Sequence, residues 1–286
     1  MSEILETFRS ITSTPHPRKI RSLPLRFYYK FYNLIRNGSK DLFYGVEIET
    51  ITNCNRKCPH CPNAYIQRED AMMKEFLFMK IIDELAEIKF CGRISPHFYG
   101  EPLLDSRLPD LMSYTRRKLP FAQIKIFTNG DFLSKEIFDE LIKKGVDDFH
   151  ITQHSKSMPK NLKRFFNQLN LKDWEKIQYQ NIDEIQLSSR EGLIPLKNIK
   201  KLEKCDFPSN TLIIDYKGRV LLCCDDYLSK YSFGDVNNEK LIDIWKKEEY
   251  TKVRRNLING IFNLDICKNC GLGSLDNSDT KNIAAH

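Results

Sequence analysis

The stretch GVEIETITNCNRKCPHC, residues 45–61, joins a strand-like run to three cysteines. Cys54, Cys58 and Cys61 have C-x3-C-x2-C spacing, close enough along the chain for their sulfurs to reach one centre. Structural zinc sites take four protein ligands, and a catalytic zinc seldom takes three thiolates from one tight loop. An iron–sulfur cube offers four irons, each needing one outside ligand. The loop therefore predicts a cube with one open iron or, alternatively, a three-cysteine zinc site with an outside ligand.

Strand-like and helix-like patterns alternate from this stretch to Pro195. The strand-like runs are GVEIETI, GRISPHFYG, QIKIFTNG, DDFHITQH, KIQYQN and DEIQLSS. The first helical pattern, MMKEFLFMKIIDELAEI, is expected to bury the stripe Met72, Phe76, Met79, Ile82 and Ala86. This alternation predicts an α/β fold with a parallel sheet and helical crossovers, open or partly closed into a barrel. Chemistry in such folds sits at the C-terminal ends of the strands, which makes the loops there the candidate site.

The alternation stops after Pro195, where a smaller unit with more cysteines begins. It contains a hairpin-like pair (TLIIDY and GRVLLCC) and one helical pattern, KLIDIWKKEEYTKVRRNL. The cysteines of this unit are Cys205, Cys223, Cys267 and Cys270, with Cys224 adjacent. A unit with little core of its own and widely spaced cysteines is usually held by metal. Cys224 and Cys91 complete no set, and we expect both to be small buried apolar side chains.

Composition and charge restrict the function classes. The chain has 286 residues, of which 41% are apolar and 29% charged, with nine cysteines and a net charge of +7. No apolar run approaches the roughly 20 residues of a membrane span, and the N-terminus lacks the pattern of a signal peptide. We therefore expect a cytoplasmic protein with reduced thiols. Residues 1–40 hold eight Lys/Arg and two Glu, which is +6 of the +7, so the body has no basic footprint for nucleic acid.

The charge pattern, the alternation of strands and helices and the cysteines together predict four parts of the chain. SLPLRFYYKFYNLIRNGSK is typical of a basic amphipathic helix, which can touch a membrane surface or a partner, or pack on the body of the protein. We expect a basic extension over 1–44, a barrel domain over 45–195, a cysteine-rich domain over 196–271 and a disordered tail over 272–286.

The C-x3-C-x2-C loop after the first strand resembles that of the radical S-adenosylmethionine enzymes. The resemblance implies that S-adenosylmethionine chelates the open iron and is cleaved to a 5'-deoxyadenosyl radical. YGEP, TNGD and TQH, which end the next three strands, are similar to the family's cofactor-binding stretches. The residues that this resemblance implies for S-adenosylmethionine binding are Tyr99, Gly100, Glu101, Thr128, Asn129, Gln153 and His154.

The C-terminal cysteines resemble a shortened SPASM domain, also called a twitch domain. Its pattern matches Cys205, Gly218-x4-Cys223 and Cys267-x2-Cys270, and it implies a second 4Fe-4S cluster with a full thiolate shell. Such a cluster has no vacancy for substrate and suits electron transfer or a structural role. Spacing alone also allows a four-cysteine zinc ribbon.

Within the family, residues 45–271 look like the aminocyclitol dehydrogenases that carry a twitch domain. GRISPHFYGEPLL, FTNGDFL, ITQH, FPSN, DIW and CKNC carry this resemblance. It implies a partial (β/α)6 barrel of TIM type followed by the twitch domain, and oxidation of a secondary alcohol to a ketone with the second cluster as electron acceptor. It also implies an external electron donor such as flavodoxin or ferredoxin, and a substrate-facing catalytic Arg190. Phe127 departs from the subclass, which has a tyrosine there, and Cys224-Asp225 departs from its Phe-Glu.

Three hypotheses remain open. The first is a radical dehydrogenase of an aminocyclitol or sugar alcohol. The second is a peptide maturase of the same superfamily, whose basic extension grips a carrier or leader peptide. The third is a zinc-binding protein without catalysis, which would be colourless and free of iron.

Overall fold

The computed structural model describes Leu34 and residues 41–275. The expected basic helix, apart from Leu34, and residues 276–286 lie outside the described part of the chain. The strands are β1 (Gly45–Ile48), β2 (Arg93–Ser95), β3 (Gln123–Thr128), β4 (Asp148–Gln153), β5 (Ile177–Asn181), β6 (Leu187–Ser188), β7 (Leu196–Lys201), β8 (Thr211–Ile214), β9 (Arg219–Leu221), β10 (Ser232–Asp235) and β11 (Gly271–Leu275). The helices are α1 (Glu75–Glu87), α2 (Leu108–Lys118), α3 (Lys135–Lys143), α4 (Lys160–Asn167), α5 (Leu171–Trp174), α6 (Phe207–Asn210), α7 (Leu241–Lys246), α8 (Glu248–Ile258) and α9 (Asp265–Lys268).

The main sheet has the order β10-β9-β8-β1-β2-β3-β4-β5. Every pair from β8 to β5 is parallel, whereas β8, β9 and β10 form antiparallel pairs. This confirms the α/β fold with a parallel sheet of the partial-barrel type. On its other side β1 pairs in parallel with β8, which belongs to the second predicted domain. One sheet therefore crosses the predicted domain boundary between residues 195 and 196. The expected sixth barrel strand, DEIQLSS, contributes only the two residues of β6, which pair with β11 in a separate sheet of order β6-β11-β7.

The helices pack on the sheet with a stripe that differs from the predicted one in α1. Leu77, Phe78, Ile81, Ile82 and Leu85 are buried, whereas Phe76 is 62% exposed and Met72 is 44% exposed. The predicted stripe was therefore wrong at Met72 and Phe76, whereas Ile82 is buried and the half-buried Ala86 packs against the core. Apolar residues are adjacent in this run, as in Leu77-Phe78-Met79 and Ile81-Ile82, so two neighbouring stripes satisfy the same period and only the packing decides between them.

The helical pattern near the C-terminus was predicted as one helix and forms two. Lys247 has a ψ of 136°, which is incompatible with a helix, and separates α7 from α8. The break folds α8 back so that the Arg254 guanidinium lies 3.6 Å from the centre of the Trp245 ring. Tyr250 also contacts this guanidinium, and all three side chains are buried. The kink thus places Trp245 and Tyr250 in the main hydrophobic core.

Both predicted ends of the body also change. Leu42 and Phe43 are buried, and the Phe43 ring lies 5.1 Å from that of Trp245, so part of the predicted extension packs into the main core. Residues 272–275, predicted as the start of a disordered tail, belong to β11 and pair with β7. No helix in the described ranges is long and apolar enough to cross a membrane.

Candidate active site

The loop that carries the first three cysteines is fixed to the loop after β3. The Arg56 guanidinium donates two hydrogen bonds of 2.5 Å to the Asp131 carboxylate, and Asn55 donates a third of 2.6 Å. Asn129 donates to the Asn55 side chain at 2.9 Å. Burial alone would raise the pKa of Asp131, but the hydrogen bonds from Arg56 and Asn55 lower it below its ordinary value. A charged clamp, defined here as Arg56 and Asp131, therefore holds the cysteine loop.

The YGEP stretch ties β2 to both neighbouring loops. Gly100 is required because a Cβ atom there would lie 2.0 Å from the Ile51 carbonyl oxygen. The buried Glu101 carboxylate accepts hydrogen bonds from the Thr128 hydroxyl at 2.7 Å and from the Asn129 and Leu103 backbone N–H groups at 2.9 and 3.1 Å. Burial raises the pKa of Glu101, while these bonds favour its charged form. Glu101 thus fixes the end of β3 beside the cysteine loop.

One cavity of about 300 Å³ gathers most of the predicted site residues. Its walls include Cys54, Cys58, Cys61, Tyr99, Gly100, Glu101, Thr128, Asn129, His154 and Arg190. Gln153 is absent from the wall. Side chains alternate along β4, so His150, Thr152 and His154 line the cavity while Gln153 points the other way. There the Gln153 amide donates to the Ser155 carbonyl at 2.7 Å and accepts from the Tyr179 hydroxyl.

Of the residues on the floor of this cavity, only Phe127 was singled out from the sequence. Glu47, His97, Phe127 and His150 line it together with Gln180. Glu47 is paired with Arg93 at 2.7 Å, and the Phe127 ring lies about midway between the rings of His97 and His150, with centre distances of 5.0 and 5.1 Å. The available signal was the alternation of Glu47 and Glu49 with Val46 and Ile48 along GVEIETI. Such alternation marks the inward face of a barrel strand.

A histidine pair closes one side of the cavity near the cysteine loop. His60 Nε2 and His154 Nδ1 are 2.9 Å apart and the rings are stacked. Burial lowers the pKa of His60 to about 3 and that of His154 to about 4, so both rings are neutral at physiological pH. His60 Nδ1 is buried and has no hydrogen-bond partner among the described residues. It is therefore a polar atom available to a ligand.

The second set of cysteines surrounds another cavity of about 240 Å³. Cys205, Cys223, Cys267 and Cys270 all line it, together with apolar side chains such as Phe262 and Leu272. The buried residues Leu222, Leu257 and Ile266 pack against three of these cysteines. The chain is thus drawn together from distant segments around four sulfurs.

The two cavities are neighbours, because Phe207 and Cys224 line both. Arg190 at the first cavity forms an ion pair with Asp225 at the second and donates to the Cys224 carbonyl at 2.9 Å. Asp225 in turn lies 3.4 Å from Cys270 Sγ, and its backbone N–H donates to Cys223 Sγ at 3.4 Å. A continuous polar path therefore joins the first cavity to the second set of sulfurs. Cys224, predicted to be buried, is half-exposed in this wall.

The distances between the potential ligand atoms, and the protonation of the thiols, bear on which metal centre the cysteines could hold. Among the described residues, only Cys58, His60 and His154 bring three potential ligand atoms within 4.8 Å of one another. Sulfur ligands of one tetrahedral zinc ion lie only about 3.8 Å apart. Neither set of cysteines lies within this 4.8 Å limit among the described residues. Three thiolates on one loop would leave one iron of a four-iron cluster open, and four thiolates would fill all its positions. Burial raises the pKa of Cys54 to about 11 and that of Cys58 to about 12, so a cationic centre is needed to keep them as thiolates.

Comparison with known proteins finds matches for two parts of the chain. Residues 48–167 match the Radical SAM superfamily, and residues 205–271 match the SPASM iron-sulfur cluster-binding domain. The S-adenosyl-L-methionine-dependent 2-deoxy-scyllo-inosamine dehydrogenase of Niallia circulans is 36% identical over 235 residues, covering 80% of this chain and 93% of that protein. The PqqA peptide cyclase of Streptomyces rochei is 32% identical over 111 residues, or 38% of this chain and 29% of the cyclase.

A solved structure agrees with the sequence match. The crystal structure of BtrN in complex with AdoMet and 2-DOIA has a TM-score of 0.76 and 35% identity, covering 80% of this chain and 93% of BtrN. The open conformation of BtrN gives a lower TM-score of 0.65. Together with the cysteine loop, the cavity and the parallel sheet, these matches show that the chain belongs to the radical S-adenosylmethionine enzymes with a SPASM domain, which use S-adenosylmethionine and iron–sulfur chemistry.

Proposed function

We propose that this protein is a radical S-adenosylmethionine dehydrogenase that oxidises a secondary alcohol of an aminocyclitol or sugar to a ketone. The observation that carries the proposal is the shared wall of the two cysteine cavities. An alcohol bound at Arg190 would lie beside Cys224 and Asp225, next to the second set of sulfurs. The name of the Niallia circulans relative supports the same reaction class.

Two 4Fe-4S clusters fit the two sets of cysteines. Cys54, Cys58 and Cys61 would hold one with an open iron for S-adenosylmethionine, and Cys205, Cys223, Cys267 and Cys270 would hold the other. When bound, these groups supply a 5'-deoxyadenosyl radical that removes a hydrogen atom from the carbinol carbon, and an acceptor for the remaining electron.

The protein's own residues bind and orient the reactants. Tyr99, Gly100, Glu101, Thr128, Asn129 and His154 would surround S-adenosylmethionine. Burial would lower the pKa of Arg190, but Tyr99 and Asp225 raise it above its ordinary value, so Arg190 stays a cation. A cation at this place orients the substrate oxygen and stabilises negative charge on it as the hydroxyl proton leaves. Glu47 and His97 on the floor supply polar contacts for the other ring substituents.

The test is anaerobic reconstitution followed by an iron count and product analysis. We expect about eight irons per chain. With 2-deoxy-scyllo-inosamine or a related aminocyclitol, deoxyadenosine and ketone should form in equal amounts. Deoxyadenosine without any ketone across a panel of aminocyclitols and sugar alcohols would contradict the proposed reaction.

The peptide-cyclase match supports a second candidate, a peptide maturase. Removal of residues 1–40 separates the two functions. A maturase that grips its peptide with this extension would lose activity on the peptide and keep S-adenosylmethionine cleavage. A dehydrogenase of a small alcohol would keep both cleavage and ketone formation.

A further inference from the structure

We propose that the strand β7 and the residues after it form the docking surface for an acidic one-electron carrier protein of the flavodoxin or ferredoxin class. This inference rests on the proposed function. The surface, called here the lysine strip, consists of Lys197, Lys200, Lys201 and Lys204. All four side chains are exposed, and Glu203 is the only acid between Leu196 and Lys204, so this segment has a net charge of +3.

The lysine strip lies against the second cysteine site. Lys201 pairs in register with Gly271, the residue after Cys270. Lys204 precedes Cys205 and lines the second cavity. The strip therefore lies on backbone that adjoins Cys205 and Cys270, two of the four cysteines of the second site.

The strip also has the composition of a protein interface. Ile199, at its centre, is 49% exposed. A Cβ atom on Gly271 would lie 2.4 Å from Ile199 Cγ2, so this glycine lets Ile199 pack over the backbone next to Cys270. An exposed apolar residue with lysines before and after it along the strand suits a partner whose interface has an acidic rim. No ion pair within the described ranges involves Lys200, Lys201 or Lys204, and the nearby Asp265 is paired with Lys268.

The proposed reaction offers such a partner a role. Conversion of an alcohol to a ketone removes two electrons and two protons. One electron and one proton leave together as the hydrogen atom that becomes part of deoxyadenosine, and the second proton leaves from the hydroxyl. Cleavage of S-adenosylmethionine consumes one electron from an external donor, and the second electron of the alcohol would pass to the second cluster, from which an oxidised carrier at the lysine strip would take it. Interfaces of this kind are small, weak and sensitive to salt.

The test compares two charge-reversal variants of the reconstituted, full-length protein. One carries Lys200→Glu and Lys201→Glu. The matched control carries Lys143→Glu and Lys172→Glu, two exposed lysines on α3 and α5 that precede β4 and β5 and so lie at the opposite end of the main sheet. The probe is oxidised flavodoxin, and the measurement is its Kd by titration calorimetry at low and high salt.

We expect the strip variant to weaken flavodoxin binding about tenfold at low salt, with a smaller difference at high salt. The control should bind like the wild type. Equal binding by the strip variant, or an equal loss in the control, would overturn the proposal. Edge-strand lysines can also serve only to prevent strand pairing between molecules. That explanation predicts self-association of the strip variant, seen by light scattering, with unchanged flavodoxin binding, and this result would also overturn the proposal.

Ketone formation with dithionite as the reductant separates this inference from the proposed function. Dithionite supplies the electron that cleaves S-adenosylmethionine, and oxidised methyl viologen is added to accept the second one. Both are small and need no docking surface, so the strip variant should make ketone with them as the wild type does. Loss of ketone in the wild type under these conditions would contradict the proposed dehydrogenase function. The docking proposal would then be decided by the flavodoxin titration alone.

Discussion

The two cysteine sites are built in opposite ways. The first takes its three cysteines from one short loop, 54–61, which polar contacts such as the clamp of Arg56 and Asp131 hold in place. The second takes its four from segments between 205 and 270, which pack around the apolar cluster of Leu222, Leu257 and Ile266. A local loop can lose its metal and leave the fold intact, whereas a site that joins distant segments contributes to the fold. The first site should therefore govern chemistry and the second both chemistry and stability.

The largest effect is expected at the first site. Cys58→Ala leaves two ligands for the cube and should abolish cleavage of S-adenosylmethionine. Because the loop is local, the midpoint of urea unfolding should stay close to that of the wild type, and about half of the iron should remain. Deoxyadenosine release, iron content and unfolding are measured on the same preparation. Global unfolding of this variant would show that the first site is also structural.

The matched change at the second site should give the opposite balance. Cys267→Ala should abolish ketone formation and lower the midpoint of urea unfolding, while cleavage of S-adenosylmethionine continues. The reason is that Cys267 packs with the cluster of Leu222, Leu257 and Ile266, far along the chain from the first loop. Deoxyadenosine and ketone are quantified together. If cleavage stopped as well, the two sites would not be separable in this way.

A weaker effect is expected from the clamp. Arg56→Gln removes the paired hydrogen bonds to Asp131 without touching a cysteine, so the loop should hold its cluster less tightly. Residues that orient metal ligands typically contribute about 10- to 100-fold in metal affinity. The measurement is the rate of iron loss to a chelator. Arg117→Gln on α2, where the side chain is exposed and bonds only to Ser113 in the described region, is the control and should lose iron like the wild type.

The two sites also differ in how far the sequence predicts them. Spacing identified both sets of cysteines, and the resemblance placed Tyr99, Thr128 and His154 at the cavity. The residues come together because a motif at the end of a strand keeps its place in any parallel sheet, and their binding of clusters and cofactor stays a prediction. The clamp was not predicted, because Asp131 is 75 residues from Arg56 and nothing in either local pattern names the partner.

The errors have a common physical cause. Gln153 was predicted to bind the cofactor because it belongs to the TQH stretch. Side chains alternate along β4, however, and Gln153 faces away from the cavity. The stripe of α1 was misplaced because adjacent apolar residues in that helix allow two neighbouring stripes. The pairing of β8 with β1 depends on contacts across more than 160 residues. Register, facing and long-range pairing are decided by packing, which one sequence does not display.

The two sites should also differ in how mild acid affects the stability of the fold around them. The floor of the first cavity contains His150, which is buried in β4, whereas the second cavity has no histidine in its described wall. Burial, with help from the nearby Lys125 cation, lowers the pKa of His150 from 6.5 to about 4. The unfolded chain therefore takes up this proton first as the pH falls, and the free energy of unfolding decreases between pH 6.5 and about 4.

His150→Gln removes the titrating ring and keeps a hydrogen-bonding group opposite Gln178, which His150 contacts at 3.2 Å. Between about pH 7.5 and about pH 5.5 the wild type should lose about 1 kcal/mol more unfolding free energy than this variant. Urea unfolding at the two pH values measures the difference. Phe127→Leu, on the same floor but without a titrating group, should shift the free energy equally at both. If the wild type and His150→Gln lost stability in parallel, His150 would be protonated without cost in the fold, and the polar floor would not distinguish the first site from the second.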